Sequence, residues 1–122
     1  MRKLTLTAAA LLVSFTGSAM AAQVWNITEE AASGIKSAQG TWLVTEANGK
    51  ISGTAELQLT NGNPLTYTFE GTVAGSTYTV KLDKRTDGKN GCVWTGQAGE
   101  KSKGSVGEVQ CDNTKFKIRA GF

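Results

Sequence analysis

From Gly40 onward, apolar and polar side chains alternate one by one in short runs, and most runs end near Gly, Asn or Asp. A period of two puts every second side chain on the same face of an extended chain. Runs of this kind read as half-buried strands joined by tight turns. Ile51, Gly53, Ala55, Leu57 and Leu59 alternate with Ser52, Thr54, Glu56, Gln58 and Thr60. Leu65, Tyr67, Phe69, Gly71 and Val73 alternate with Thr66, Thr68, Glu70 and Thr72. Tyr78, Val80 and Leu82 alternate with Thr77, Thr79, Lys81 and Asp83. The threonine-rich outer set suits strands.

Turn residues separate the runs. Asn48-Gly49 is a strong two-residue hairpin signal. Asn61 to Pro64 makes a longer loop, with Pro64 ahead of its strand. Ala74-Gly75, the polar stretch 86–91, the stretch 99–104 and Asp112-Asn113 supply the remaining turns. The pattern predicts strands near residues 40–47, 50–60, 65–73, 76–85, 92–98, 105–111 and 114–121. Val24 to Thr28 offers an eighth strand, and Thr28 to Ile35 alternatively offers a short helix with Thr28 as N-cap.

Turn positions fix register. A symmetric 99–104 loop sets Cys92 opposite Cys111, Trp94 opposite Val109 and Gly96 opposite Gly107. Opposed cysteines lie within disulfide reach. The same reasoning pairs Trp42 with Ala55, Phe69 with Val80, Gly71 with Tyr78, and Val109 with Phe116. One inward row then reads Trp42, Ala55, Phe69, Val80, Trp94, Val109, Phe116. The next reads Val44, Gly53, Gly71, Tyr78, Gly96, Gly107, Ile118. Inward glycines allow strand coiling, with the Tyr78 ring over Gly71 and Gly96, or they leave room for a ligand. The expected fold is all-β: an antiparallel meander of seven or eight strands, an up-and-down barrel or a strongly curled sheet, with one disulfide.

The segment before the strands reads as an export signal. Arg2 and Lys3 precede an uncharged run from Leu4 to Phe15, then Ala19-Met20-Ala21. The apolar run is too short to span a bilayer, which takes about 20 residues, and no later run is longer. This divides the chain into a signal peptide over 1–21, an N-terminal segment over 22–39 and a barrel domain over 40–122. The expected location is the periplasm or outside the cell, where two cysteines pair. The chain carries 13 basic and 10 acidic side chains; without Arg2 and Lys3 the balance is 11 against 10. That near-neutrality gives no general field for nucleic acid.

Gly40-Thr41-Trp42 resembles the G-x-W opening of calycin-type barrels, the group of lipocalins, avidins and bacterial metalloprotease inhibitors. Gly49 to Thr54 and Trp94-Thr95-Gly96-Gln97 are similar to avidin strands. The resemblance implies a small barrel. In that group a basic residue on the last strand packs on the tryptophan. Arg119 has the matching position in sequence, but the alternation turns it outward.

Chemistry is sparse. There is no histidine, so the usual general base and commonest metal ligand are missing. No G-x-S-x-G occurs, and the acids lack a metal-site spacing. Neither a metal nor a cofactor is expected. The reading is a non-enzymatic exported binding module, taking a protein partner such as a hydrolase, or a small molecule. Trp42, Tyr78 and Trp94 would line a ligand site. Lys84, Arg85 and Lys89 form a basic cluster that could face a partner, and Trp25 would either do the same or plug one barrel end. The alternative is a structural or envelope-stress protein with no discrete ligand site.

Overall fold

The computed structural model describes residues 21–98 and 103–122. Eight strands follow one another as β1 (Ala21–Ala31), β2 (Lys36–Ala47), β3 (Lys50–Leu59), β4 (Pro64–Ala74), β5 (Thr77–Asp83), β6 (Cys92–Ala98), β7 (Gly104–Gln110) and β8 (Lys115–Gly121). Each pairs antiparallel with the next, and β1 pairs with β8, closing a barrel. Closure leaves no free sheet edge among the described residues to recruit another chain. The signal-peptide segment falls almost wholly outside the described residues; Ala21 opens β1.

The segment before Gly40 is part of the barrel. Val24–Thr28 is the middle of β1, and the helix considered over Thr28–Ile35 is not formed. Thr28 to Ala31 instead complete ladders to both β2 and β8, with a bulge at Glu29/Glu30. These backbone bonds occupy groups that a helix start would leave free. β2 likewise begins at Lys36 rather than at Gly40.

Three of the four hairpin registers agree with the expectation. Trp42 faces Ala55, Trp94 faces Val109, and Val109 faces Phe116. The β4–β5 hairpin differs: Phe69 faces Leu82, Gly71 faces Val80, and Val73 faces Tyr78. The turn is Gly75-Ser76, with Gly75 at φ 62° and Ala74 paired to Thr77, so the ladder moves by two residues. A shift of two keeps every side chain on its face. The β3–β4 ladder also departs from the expected row, setting Tyr67 and not Phe69 beside Ala55.

Trp25, Trp42, Trp94, Phe69, Val44, Ile51, Leu65, Val80, Leu82, Val109 and Ile118 are among the buried residues that fill the interior. The inward glycines belong to coiling. A Cβ at Gly53 would stand 1.9 Å from the Leu43 carbonyl oxygen, at Gly71 2.1 Å from that of Thr79, and at Gly107 1.7 Å from that of Thr95. Adjacent strands lean onto these positions, which is the close backbone approach glycine permits. At Gly96 the neighbour is the Trp94 ring, not that of Tyr78.

Candidate functional site

Hairpin connectivity gives the barrel two ends. One carries the 48–49 and 75–76 turns and Phe122. The other carries the β1–β2, β3–β4, β5–β6 and β7–β8 connections. Their chemistry is opposite.

At the second end, β5 stops at Asp83, and Lys84 adopts a left-handed conformation (φ 59°). The next residue, Arg85, is turned into the barrel, with its side chain 1% exposed. Its Nη1 and Nη2 donate to Glu29 Oε2 at 3.0 Å and Oε1 at 2.9 Å, a paired fork-on-carboxylate contact. Its Nε and Nη2 donate to Asp87 Oδ1 at 3.1 Å and Oδ2 at 2.7 Å. The Tyr67 hydroxyl donates to Glu29 Oε2 at 2.9 Å and accepts from Trp42 Nε1 at 2.9 Å. The guanidinium also lies over the rings of Tyr67 (4.7 Å) and Phe116 (4.9 Å). Lys89 Nζ reaches Asp87 Oδ2 at 3.1 Å.

This network is satisfied and inward. Burial alone would lower the Arg85 pKa, but hydrogen bonds to Asp87 and Glu29 outweigh it and raise it further. Burial would raise the Asp87 carboxyl, yet its bonds to Arg85 win and hold it down at about 2. Burial first, and then Glu29, push the Tyr67 phenol well above its ordinary value. With each guanidinium nitrogen bonded to an internal carboxylate, the cluster locks one barrel end. The disulfide closes the same end: Cys92 and Cys111 have Cα atoms 3.9 Å apart.

The expected partner surface is corrected accordingly. Arg85 is buried, and Trp25 is 2% exposed, packed among Trp42 (6.0 Å), Tyr78 (5.6 Å) and Phe122 (4.5 Å). The spacing that placed Arg85 in a basic loop could not reveal an acid 56 positions away. Lys84 remains exposed, and Lys89 is partly so. Arg119 does face outward, donating to Glu30.

The expected ligand-lining residues do come together. Trp94 lies 5.4 Å from Trp42 and 5.9 Å from Tyr78, centroid to centroid, and Phe69 stacks on Trp42 at 4.3 Å. These are packing distances. Trp42 and Trp94 are fully buried, so no ligand fits between them. Tyr78 is half-buried near Phe122 (6.0 Å), which is 40% exposed. Burial first, then Glu46, raise the Tyr78 phenol pKa. Two polar atoms stand out that no sequence pattern marks: Trp94 Nε1 and Ser105 Oγ are buried without a hydrogen-bond partner.

A cavity of about 480 Å³ opens where β6, β7 and β8 reach this aromatic end, lined by Gln97, Ala98, Ser105, Val106, Arg119 and Ala120. On the outer wall, Val24 (62% exposed) and Leu43 (51%) sit opposite each other on β1 and β2. The rest of the wall is mostly polar, including exposed Thr54, Thr68, Thr79, Thr95 and Lys81. That is the reverse of a barrel facing lipid, which turns its apolar side chains outward. No helix among the described residues is long and apolar enough to cross a membrane. The described residues hold no cluster of three or more candidate metal ligands.

No protein-family model matches the chain. No curated protein matches it. Solved structures do match in fold. A redesigned β-barrel, mFAP1, bound to DFHBI, aligns with TM-score 0.64 and 15% identity over 80% of this chain and 90% of that one. A de novo designed fluorescence-activating β-barrel aligns with TM-score 0.60 and 15% identity, covering 80% and 89% of the two chains. Another redesigned barrel, mFAP0, also bound to DFHBI, gives 0.58 at 15% identity, covering 81% and 95%. The chain is thus similar to small β-barrels in fold.

Proposed function

We infer that this is an exported, non-enzymatic binding module that recognises its target at the aromatic end of the barrel. The carrying observation is the contrast between the ends. One is locked by the Glu29–Arg85–Asp87 cluster and the disulfide, while the other presents Tyr78, Phe122 and the 480 Å³ cavity. A rigid barrel with recognition groups on turns is a common division of labour. The disulfide favours an oxidising compartment, the periplasm or the exterior. Cleavage after Ala21 would remove one residue of β1, and N-terminal sequencing of the exported protein should begin at Ala22.

A photoreactive side chain placed at Ser76, beside the aromatic end, should crosslink to a partner in cells, and one at Asn90 on the locked end should not. Equal labelling at both positions would defeat the reading. So would turnover in a broad hydrolase screen. The small-molecule version draws support from the DFHBI-bound barrels of similar fold. The second reading, a structural envelope protein, is favoured by the filled interior around Trp42 and Trp94.

A further inference from the structure

We propose that the mouth at the aromatic end binds a small quaternary ammonium ion, held against the rings of Tyr78 and Phe122 with the Glu46 carboxylate as counter-charge. The proposal rests on the binding-module reading and gives it a ligand class.

The acid is placed by register. Directly opposed residues of an antiparallel pair share a face. Glu46 stands opposite Ile51, which is 1% exposed and points into the barrel. Glu46 therefore belongs to the inward set of β2, after Trp42 and Val44, at the level where the barrel opens, and it is partly exposed. It is the one charged inward residue of the strands at this end. Acids on the outer wall face cations across the ladder, Glu70 opposite Lys81 and Glu108 opposite Lys117. Glu46 instead faces Ile51 and Ala21, and no described lysine or arginine forms an ion pair with it.

The rings share the opening with that carboxylate. Tyr78 is partly exposed and lies opposite Val73 on the inward face. Phe122, 40% exposed, follows buried Ala120 by one strand period and packs on Trp25 at 4.5 Å. The Tyr78 and Phe122 centroids are 6.0 Å apart, with planes inclined by 50°. One cation can thus lie within about 6 Å of both, the range of a cation–π contact. Trp25 backs both rings and fixes them. The field of Glu46 reaches the Tyr78 phenol, where it is the cause second to burial that raises the pKa.

Aromatic faces beside an unpaired carboxylate attract positive charge. A primary ammonium carries three donors that want acceptors. Here the neighbouring Gln23 carbonyl already accepts from Trp25 Nε1 at 3.2 Å. A quaternary ammonium asks for no hydrogen bond, and its methyl groups suit the apolar surface of Val73 and the two rings.

The test titrates ¹⁵N-labelled protein with choline. Its neutral carbon isostere, 3,3-dimethyl-1-butanol, and its primary-amine analogue, ethanolamine, are the comparators. Choline should shift the Trp25 indole and Phe122 amide signals saturably and leave the Trp42 indole, bonded to Tyr67 in the interior, in place. The isostere and ethanolamine should each bind about tenfold more weakly. Glu46→Gln should lower choline affinity about fivefold and leave the isostere unchanged. Phe122→Leu should lower choline affinity about threefold. Both substituted side chains are partly exposed, so both variants should fold. No saturable shift, a comparator that binds as tightly as choline, or wild-type choline affinity in both variants would overturn the proposal. If choline fails while the Ser76 photo-crosslink persists, the cation site falls and the binding reading stands; if both fail, both fall.

Discussion

Replacing Arg85 with Met should be the most damaging single change that preserves side-chain volume. Arg85 supplies two hydrogen bonds to Glu29 and two to Asp87 from a side chain 1% exposed. Methionine fills similar space but leaves the Glu29 side chain, 3% exposed, with the Tyr67 hydroxyl alone. Removing one partner of a buried pair costs about 3–5 kcal/mol, because a desolvated polar group stays behind. The lost contacts to the Tyr67 and Phe116 rings add about 1 kcal/mol. Asp87 suffers less, since its side chain is 10% exposed and keeps Lys89. The expected loss is about 4 kcal/mol, a large part of the roughly 5–15 kcal/mol typical of a domain. The double replacement Glu29→Leu with Arg85→Met should cost only about 1–2 kcal/mol, chiefly for the Tyr67 hydroxyl. Urea unfolding of the four proteins, followed by the fluorescence of the buried tryptophans, completes the cycle. A cost below about 1 kcal/mol for Arg85→Met, or additive single changes, would show that the cluster is not the lock described above.

Three other outcomes follow from the structure. Opening the Cys92–Cys111 bridge, which joins residues 19 positions apart, should lower stability by about 3 kcal/mol and visibly lower the melting temperature on reduction. Gly107→Ala should cost at least about 2 kcal/mol, because its Cβ would stand 1.7 Å from a backbone oxygen, whereas Gly62→Ala meets nothing within 4 Å and should cost about 1 kcal/mol for its φ of 93°; an inverted ranking in thermal melts would contradict the coiling account. Asp87 is held at about 2 in the fold against an ordinary 3.8, so its stabilisation is full above about pH 4 and disappears as pH falls through about 2. Asp87→Asn should flatten the fall in melting temperature across that window, and an unchanged slope would remove Asp87 from the acid response.

The parts of the fold that were legible in sequence are those set by local chemistry. Asn48 and Gly49 both take positive φ, 55° and 78°, and the register around that turn follows directly. The β4–β5 register missed by two because Ala74-Gly75 and Gly75-Ser76 are equally plausible as turns; only the ladder decides. β1 was half visible. Trp25 and Ile27 alternate inward, but the next inward position is Glu29, and a buried acid breaks the apolar pattern. Its neighbours then resemble the first turn of a helix. Arg85 was misread for the matching reason: a charge that is buried by a distant partner has the local signature of a solvated one. The orphan atoms of Trp94 and Ser105 carry no sequence signal at all, since satisfaction of a hydrogen bond is a property of the packed molecule.

Closure by the first and last strands also sets the order of folding. Seven of the eight pairings join neighbours along the chain, while β1 and β8 bring together residues such as Glu30 and Arg119, 89 positions apart. Local hairpins form early, and the long loop closes last. Until β8 is available, the outer edge of β1 lacks its ladder partner, a site for mispairing with other chains. Glu29 lies on that edge strand, and its bonds to Arg85 span the barrel interior. Sealing the barrel and burying the charge pair at its end are therefore one late event, and a variant that weakens the ion pair should aggregate during folding before it melts once folded.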